Sequence, residues 1–210
     1  MRLSNKILLA TENREKYDEF RALFSAYPKI ELVMAGELLR NMDWLPLAEK
    51  NDTYLENAIA KARQVNLGAH YPSLADDSGL EVLALEGKPG VRSHRFAPPQ
   101  AGLTQDQANN QFLLRQLSAG KPRDARFVCT LVLVIEGILV HATGSLEGTI
   151  AEAPRGSNGF GYDPLFIPKG ATKTFAEMAS AEKNAISHRA HALQELMTRL
   201  KSHGVVLAKP

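Results

Sequence analysis

The sequence is very poor in cysteine: the chain of 210 residues contains a single one, Cys129. A lone cysteine cannot form a disulfide within the chain. It lies in the most apolar run of the sequence, Phe127 to Ile135, where we expect a small buried hydrophobe, because reactive thiols need exposed and electropositive surroundings. That run is also much shorter than the roughly 18 residues that a membrane-spanning helix requires.

The sequence also lacks an excess of charge of either sign. Its 25 Lys and Arg residues and 23 Asp and Glu residues leave a net charge of +2, which is too small for a typical duplex-binding protein. The apolar stretch Ile7 to Ala10 is shorter than the roughly 7–15 residues of a signal-peptide core. We therefore expect a soluble, cytoplasmic protein whose partner is a small molecule, with no nucleic acid and no membrane.

The apolar patterns predict a mixed α/β fold. Hydrophobic residues make up 44% of the chain, enough for one domain over residues 1–210 that could divide into two lobes. Helices interleaved with strands, together with a long antiparallel hairpin turning at Glu136-Gly137, indicate a mixed, twisted sheet covered by helices. Strands are predicted at 6–10, 30–34, 74–75, 125–135, 138–145 and 148–153, helices from Arg14, Thr53 and Thr104 and over 181–203, and loops at 36–52 and 154–164.

Three polar residues stand at the turn between the first predicted strand and its helix: Thr11, Asn13 and Lys16. Backbone N–H groups at a helix N-terminus are unpaired and carry partial positive charge, so a phosphate can bind there while the side chains add donors and a full charge. The alternative is an ordinary N-cap with Lys16 exposed. The segment lacks the glycines of a P-loop, and both interpretations stay open.

Two adjacent carboxylates, Asp76 and Asp77, follow a short apolar strand and precede Ser78. Because successive strand side chains point to opposite faces, we expect one of the pair to face a site while the other braces the turn. Mg²⁺ prefers oxygen ligands and is typically held by one or two carboxylates together with substrate phosphates. The alternative is an Asx-turn that ends the strand.

A glycine-rich segment over residues 156–164 contains Phe160, Tyr162 and Asp163. The glycines on both sides of Phe160 allow unusual backbone angles, so its ring can be presented for stacking on a base. The proline after Asp163 restricts that residue to extended backbone. The alternative is a long loop whose aromatic side chains pack back onto the core.

The last predicted helix gathers donors near its start, at Lys183, Ser187, His188 and Arg189. Donors aimed at one point suit carbonyl or phosphate oxygens, and arginine in particular offers a rigid fork. The alternative is a solvated helical face. A zinc site is not indicated, because His188 and His191 lack the spacing and the glutamate of a zinc-protease helix.

Taken together, six segments spread over nearly the whole chain resemble the inosine/xanthosine triphosphate pyrophosphatases, the Ham1-like family. Any one of these motifs is weak, whereas six in order are specific. The segments are Thr11-x-Asn13-x-x-Lys16, Thr53-Tyr54-x-Glu56-Asn57-Ala58-x-x-Lys61-Ala62, Ala75-Asp76-Asp77-Ser78-Gly79-Leu80, Gly87-x-Pro89-Gly90-x-x-Ser93, Gly159-Phe160-Gly161-Tyr162-Asp163-Pro164 and Glu182-Lys183-x-x-x-Ser187-His188-Arg189.

The resemblance implies a homodimeric, Mg²⁺-dependent hydrolase that converts ITP, dITP or XTP to the monophosphate and pyrophosphate and so cleanses the nucleotide pool. It implies two lobes around a central nucleotide cleft. Asp77 would be the metal-linked general base, with Glu49 as a second metal ligand. The implied substrate-binding residues are Thr11, Asn13, Lys16, Ser78, Phe160, Gly161, Tyr162, Asp163, Lys183, His188 and Arg189.

Polarity suggests how such a site would select its base. A 6-keto purine can accept a hydrogen bond from Arg189 or His188. The 6-amino group of adenine is itself a donor, so it could not accept a hydrogen bond from these side chains. Several positions depart from the family pattern. Glu12 stands where glycine is usual, and Glu49 follows Ala48 where a Glu-Glu pair is usual. His94 stands where alanine is common, and Ala190 where glycine is common. A pyrophosphatase for other modified nucleotides, or a nucleotide sensor that does not cleave, are the alternatives.

Overall fold

The computed structural model describes residues 5–39, 50–117 and 120–204. The strands are β1 (Lys6–Leu9), β2 (Glu31–Met34), β3 (Ser73–Val82), β4 (Asp124–Ile135), β5 (Ile138–Ile150) and β6 (Phe166–Pro168). The helices are α1 (Arg14–Phe24), α2 (Ala35–Leu38), α3 (Tyr54–Ala69), α4 (Gln105–Gln116), α5 (Ser180–Ile186) and α6 (His188–Ser202). Short 3-10 turns lie at Leu83–Leu85, Gly90–Arg95 and Phe175–Glu177.

The six strands form a sheet in the order β2-β1-β3-β4-β5-β6. Strand β1 is parallel to β2 and to β3, whereas β5 and β6 are antiparallel. The two residues between β4 and β5, Glu136 and Gly137, both have positive φ angles of 47° and 79°, as the tightest hairpin turns require. This confirms the mixed α/β class and the long hairpin.

Polar side chains begin the longer helices as the sequence predicts. Asn13 caps α1 by accepting from Lys16 N at 2.7 Å, and Thr53 caps α3 by accepting from Glu56 N at 3.2 Å. Thr104 and Gln107 form a complete capping box at α4. These contacts satisfy N–H groups that a helix leaves unpaired at its start.

Two strand predictions are wrong. Asp76 and Asp77 do not leave a strand end, because β3 continues through both of them to Val82. Residues 148–153 do not form a separate strand either, since Gly148 lies within β5 and pairs with Pro168. A Cβ atom at Gly148 would lie 2.3 Å from the Ile167 carbonyl oxygen, so this glycine permits close strand pairing and does not interrupt the strand.

Three helix boundaries also differ from prediction. The single helix expected over 181–203 is two helices, because Ser187 has an extended backbone with ψ of 155° between α5 and α6. Helix α3 continues past Gly68, and His70 ends it in the left-handed conformation with φ of 55°. The loop expected over 36–52 begins with the short helix α2, and residues 40–49 lie outside the described residues.

The chain divides into two compact units. The first unit comprises Met1–Asp77, Cys129–Gly144 and Arg189–Pro210. Alternate residues of β4 enter different apolar clusters there. Cys129, Leu131, Leu133 and Ile135 pack with Phe20 and Leu196, whereas Val132 and Val134 pack with Ala58 and Ala62. A strand with both faces buried has a continuous apolar run in its sequence. Cys129 is fully buried, as the sequence predicts.

The second unit comprises Ser78–Val128 and Ser145–His188. Its core is rich in aromatic residues. The rings of Phe127 and Phe166 lie 4.6 Å apart, and those of Phe166 and Phe175 lie 5.3 Å apart, within the range in which aromatic pairs attract. Within the described ranges no helix is long and apolar enough to cross a membrane. The single domain over residues 1–210 stays a prediction.

Candidate functional site

Asp76 is a buried carboxylate surrounded by cations. It lies in β3 with 1% of its surface exposed. Lys16 Nζ is 3.1 Å from Asp76 Oδ2, and Arg189 Nε is 4.0 Å from the same oxygen. Burial alone would raise the pKa of Asp76, but Lys16, Arg189 and Lys61 together lower it well below its ordinary value of 3.8. This carboxylate therefore stays charged at neutral pH.

Asp77 has different partners and the opposite pKa shift. Its Oδ2 accepts from Asn57 Nδ2 at 3.0 Å, and its Oδ1 lies 3.3 Å from Lys61 Nζ. Burial raises the pKa of Asp77 above its ordinary value, and the charge of Asp76 adds to the rise, although Lys61, Lys16 and Asn57 oppose it. Adjacent carboxylates with pKa values pushed in opposite directions are typical of acid–base sites.

Asn57 and Lys61 belong to one motif of the family resemblance, but we did not predict them as site residues. Both lie on the buried side of α3, one turn apart, with 1% and 2% of their surfaces exposed. Lys61 Nζ also donates to the Asp76 carbonyl oxygen at 2.6 Å. A signal was present in the sequence, because a lysine on the apolar face of an amphipathic helix is rarely buried without a partner.

The turn before α1 shows the N-cap of the alternative interpretation but not its exposed lysine, and the phosphate site stays a prediction. Asn13 is an N-cap, and Thr11 Oγ1 accepts from Asn13 N at 3.1 Å. Lys16 is not an exposed surface lysine, however, since its side chain is 18% exposed and pairs with Asp76. Glu12 is exposed at the start of the helix, where an acidic side chain interacts favourably with the helix dipole.

Arg189 is held at the start of α6 by an ion pair. Its Nη1 donates to Glu19 Oε2 at 2.9 Å, and its side chain is only 5% exposed. Lys183 and His188 are buried as well, at 4% and 1% of their surfaces. The alternative of a solvated helical face is therefore wrong for these residues.

Hydrogen bonds and an ion pair hold the glycine-rich segment around Phe160. Asp163 Oδ2 accepts from Phe160 N at 3.0 Å and from Lys183 Nζ at 2.5 Å. The Lys183 ammonium lies 5.1 Å from the centre of the Phe160 ring, within cation–π range. A Cβ atom at Gly159 would lie 2.0 Å from Asp163 Oδ2, and Gly159 has a φ of 71°, so this position requires glycine.

Tyr162 and His188 are packed into the second unit. The Tyr162 hydroxyl donates to the Ser93 carbonyl oxygen at 2.9 Å, and burial raises the pKa of this phenol. Tyr162 thus matches the alternative of an aromatic residue that packs onto the core. The His188 ring stacks on Phe127, with ring centres 4.7 Å apart. Phe160, in contrast, is only half-buried.

The candidate residues thus fall into two groups, one in each unit. The first unit holds Thr11, Asn13, Lys16, Asp76, Asp77 and Arg189 with the added Asn57 and Lys61. The second unit holds Ser78, Phe160, Gly161, Tyr162, Asp163, Lys183 and His188. The predicted metal ligand Glu49 lies outside the described residues.

The donor set of the first group suits a hard cation. Asp77 supplies carboxylate oxygens, the type of ligand that Mg²⁺ prefers. Among residues 5–39, 50–117 and 120–204, no group of three or more His, Cys, Asp or Glu side chains is placed to hold a metal. Mg²⁺ commonly uses only one or two carboxylates and completes its coordination with water and substrate phosphates, so the residues present fit this ion.

Comparison with solved structures defines the class of protein. The Ham1 protein of Staphylococcus aureus superposes with a TM-score of 0.80 at 34% identity, covering 94% of this chain and 99% of that chain. A HAM1 protein from Coxiella burnetii gives a TM-score of 0.79 at 37% identity, covering 94% of this chain and 98% of that one. The fold is therefore the mixed α/β fold of these proteins.

Sequence comparison gives the family. A protein named dITP/XTP pyrophosphatase from Ralstonia nicotianae is 44% identical over 200 residues, which cover 93% of this chain and 96% of that protein. The model of the Ham1 family matches residues 7–199. The chain belongs to the Ham1 family.

Proposed function

We propose that this chain hydrolyses non-canonical purine nucleoside triphosphates, namely ITP, dITP and XTP, to the monophosphate and pyrophosphate. Relatives named dITP/XTP pyrophosphatase that match nearly the full length of the chain support this reaction. Its physiological effect is removal of deaminated purines from the nucleotide pool.

The observation that carries the proposal is the pair of adjacent carboxylates with opposite pKa shifts. Asp76 stays charged and neutralises nearby cations, while the raised pKa of Asp77 makes it the better proton acceptor of the two. Asp77 acts as the general base that takes a proton from the attacking water. Asn57 and Lys61 each donate to a different one of its two oxygens, which orients the carboxylate for that transfer.

The phosphates bind near the start of α1. Thr11 and Asn13 contribute donors there, and Lys16 contributes a full positive charge that it now shares with Asp76. Phosphoryl transfer depends mainly on positioning and on stabilising charge that develops on phosphate oxygens. Lys16, paired with the neighbouring Asp76, supplies such a charge.

The purine is recognised through its ring and its 6-keto oxygen. The half-buried Phe160 ring offers a stacking surface, with Gly161, Tyr162 and Asp163 holding the segment and Lys183 beside it. Arg189 or His188 donates to the 6-keto oxygen, and Ser78 adds a nearby hydroxyl. Adenine, which carries a 6-amino donor at that position, cannot accept this hydrogen bond and is disfavoured.

Magnesium is the proposed cofactor, held by Asp77 and Glu49 together with the substrate phosphates. When bound, it supplies positive charge that stabilises the charge developing on the phosphates. We also propose that the protein is a cytoplasmic homodimer, as the family resemblance implies.

A substrate panel tests the function directly. Purified protein is assayed with ITP, dITP, XTP, ATP and GTP, with and without Mg²⁺, and the released phosphate species are identified. We expect pyrophosphate and the monophosphate from the non-canonical purines, with little turnover of ATP. Release of orthophosphate would assign a different bond cleavage, and tight ITP binding without any product would favour the nucleotide sensor.

A further inference from the structure

Two side chains of helix α4 form hydrogen bonds with one residue of the glycine-rich segment, Gly161. Asp106 Oδ2 accepts from Gly161 N at 2.7 Å, and Asn110 Nδ2 donates to the Gly161 carbonyl oxygen at 2.9 Å. Asp106 and Asn110 are four residues apart, so their side chains project from the same face of the helix. Both polar groups of one backbone residue are thus held by one helix face.

These contacts act directly beside Phe160. The Gly161 amide that Asp106 accepts from belongs to the peptide bond that joins Gly161 to Phe160. The preceding amide, Phe160 N, is fixed by Asp163 at 3.0 Å. Two successive N–H groups therefore point at two carboxylates, which leaves the Phe160 backbone little freedom to rotate.

The backbone at Gly161 needs such restraint. Gly161 has a φ of 61°, and no atom lies within 4 Å of the position where a Cβ would stand. Glycine without neighbours on that side has wide conformational freedom. Packing on that side therefore does not hold this residue, and the two hydrogen bonds from α4 restrain its backbone.

Asn110 is an unusual choice for a purely structural position. It is 7% exposed, and among the described residues its Oδ1 is buried without a hydrogen-bond partner. Leaving a buried acceptor unpaired is unfavourable, and an aliphatic side chain of similar size would avoid it. The contact with Gly161 is the interaction that offsets this cost.

We propose that Asp106 and Asn110 are positioning residues that hold Phe160 in the orientation in which its ring stacks on the purine. The inference rests on the proposed function, in which Phe160 contacts the base. Neither residue touches the nucleotide in this proposal, and each acts through the backbone of Gly161.

The test separates purine binding from phosphate binding. Asp106→Leu removes the acceptor at nearly constant size. We expect its KM for ITP to rise about tenfold, within the range that base–aromatic stacking accounts for, while kcat changes less than about threefold. Inorganic pyrophosphate carries no base, so its inhibition constant should stay unchanged.

Three further variants distinguish the positioning of Phe160 from a general loss of stability. Asp106→Asn keeps an acceptor oxygen and should restore most of the ITP affinity. Asn110→Leu should reproduce the rise in KM and provides the same test should Asp106→Leu not fold. Asn109→Ala loses contacts of the same helix with the Ser93 and His94 carbonyl oxygens and should lower thermal stability without the selective rise in KM.

The outcomes distinguish this inference from the proposed function. An unchanged KM for ITP in both leucine variants, or a parallel rise in the inhibition constant of pyrophosphate, would overturn the positioning role while leaving the pyrophosphatase activity in place. Absence of ITP hydrolysis in the wild-type protein would overturn the proposed function itself, and the inference with it.

Discussion

The buried ion pair at Asp76 gives a prediction about the stability of the protein. The size of the expected loss depends on how deeply the charges are buried and not on the distance between them. Replacing Asp76 by asparagine keeps the shape of the side chain and removes its charge. Lys16, which lies 3.1 Å from Asp76 Oδ2, would then lose this buried counter-charge, whereas Arg189, 4.0 Å from the same oxygen, would keep its ion pair with Glu19. Removing one partner of a buried ion pair typically costs about 3–5 kcal/mol, because the remaining charge is left uncompensated.

The expected loss follows from the exposure of the partners. Asp76 and Arg189 side chains are 1% and 5% exposed, whereas Lys16 is 18% exposed and can reach water. We therefore expect the lower end of the range, about 3 kcal/mol. For a chain of this length each kcal/mol lowers the melting temperature by about 2–4 °C, so the melting temperature should fall by roughly 6–12 °C.

A matched control uses an ion pair on the surface. Glu147 and Lys169 are closer together, at 2.6 Å, but their side chains are 67% and 76% exposed. Glu147→Gln should leave the melting temperature unchanged within error, since exposed pairs contribute little. Thermal unfolding followed by circular dichroism measures both variants. A loss at Asp76→Asn no larger than that of the control would refute the reasoning.

The pH dependence of stability provides a second readout of the same charge. Burial alone would raise the pKa of Asp76, but its cations lower it below the ordinary value of 3.8, so the folded protein binds this proton more weakly than the unfolded chain. The stability that Asp76 contributes is full above pH 3.8 and is lost as the pH falls below it. The difference in melting temperature between wild type and Asp76→Asn should therefore narrow in that acidic range.

The remaining predictions concern activity. Asp77→Asn should lose most of the rate of ITP hydrolysis while circular dichroism shows that the fold survives, and near-normal turnover would remove Asp77 as the base. Arg189→Ala should reduce the preference for ITP over ATP, measured as the ratio of kcat/KM values, and an unchanged ratio would place discrimination elsewhere. Gly159→Ala should lower ITP turnover more than Gly161→Ala, because a Cβ would meet Asp163 Oδ2 at 2.0 Å only at the first position; equal effects would show that the steric contact does not matter.

Local patterns in the sequence were sufficient for most of the secondary structure. The caps of α1, α3 and α4 are set by side chains within three residues of the amides they bind. The β4–β5 hairpin follows from a two-residue turn between apolar runs. Interactions between residues a few positions apart produce regular spacings and fixed residue types in the sequence, so they can be predicted from it.

The candidate site was recovered only in part. The carboxylates, Lys16, Phe160 and Arg189 were predicted from their residue types and from the family resemblance. That β3 continues through Asp76 was not predicted, because whether a strand continues depends on pairing with distant strands. The break at Ser187 was missed for a similar reason, since apolar spacing alone does not reveal where a helix changes direction.

Sequence alone therefore determined which residue types and local elements this protein has, because caps, turns and apolar periodicity act over a few positions. Only the tertiary structure decided their partnerships: Lys61 meets Asp77 across 16 positions and Asp106 meets Gly161 across 55. The opposite pKa shifts of Asp76 and Asp77 arise from burial and from the charges that the fold brings beside each carboxylate. Burial and charge at a side chain depend on what the fold brings beside it, which neighbours in the sequence do not specify.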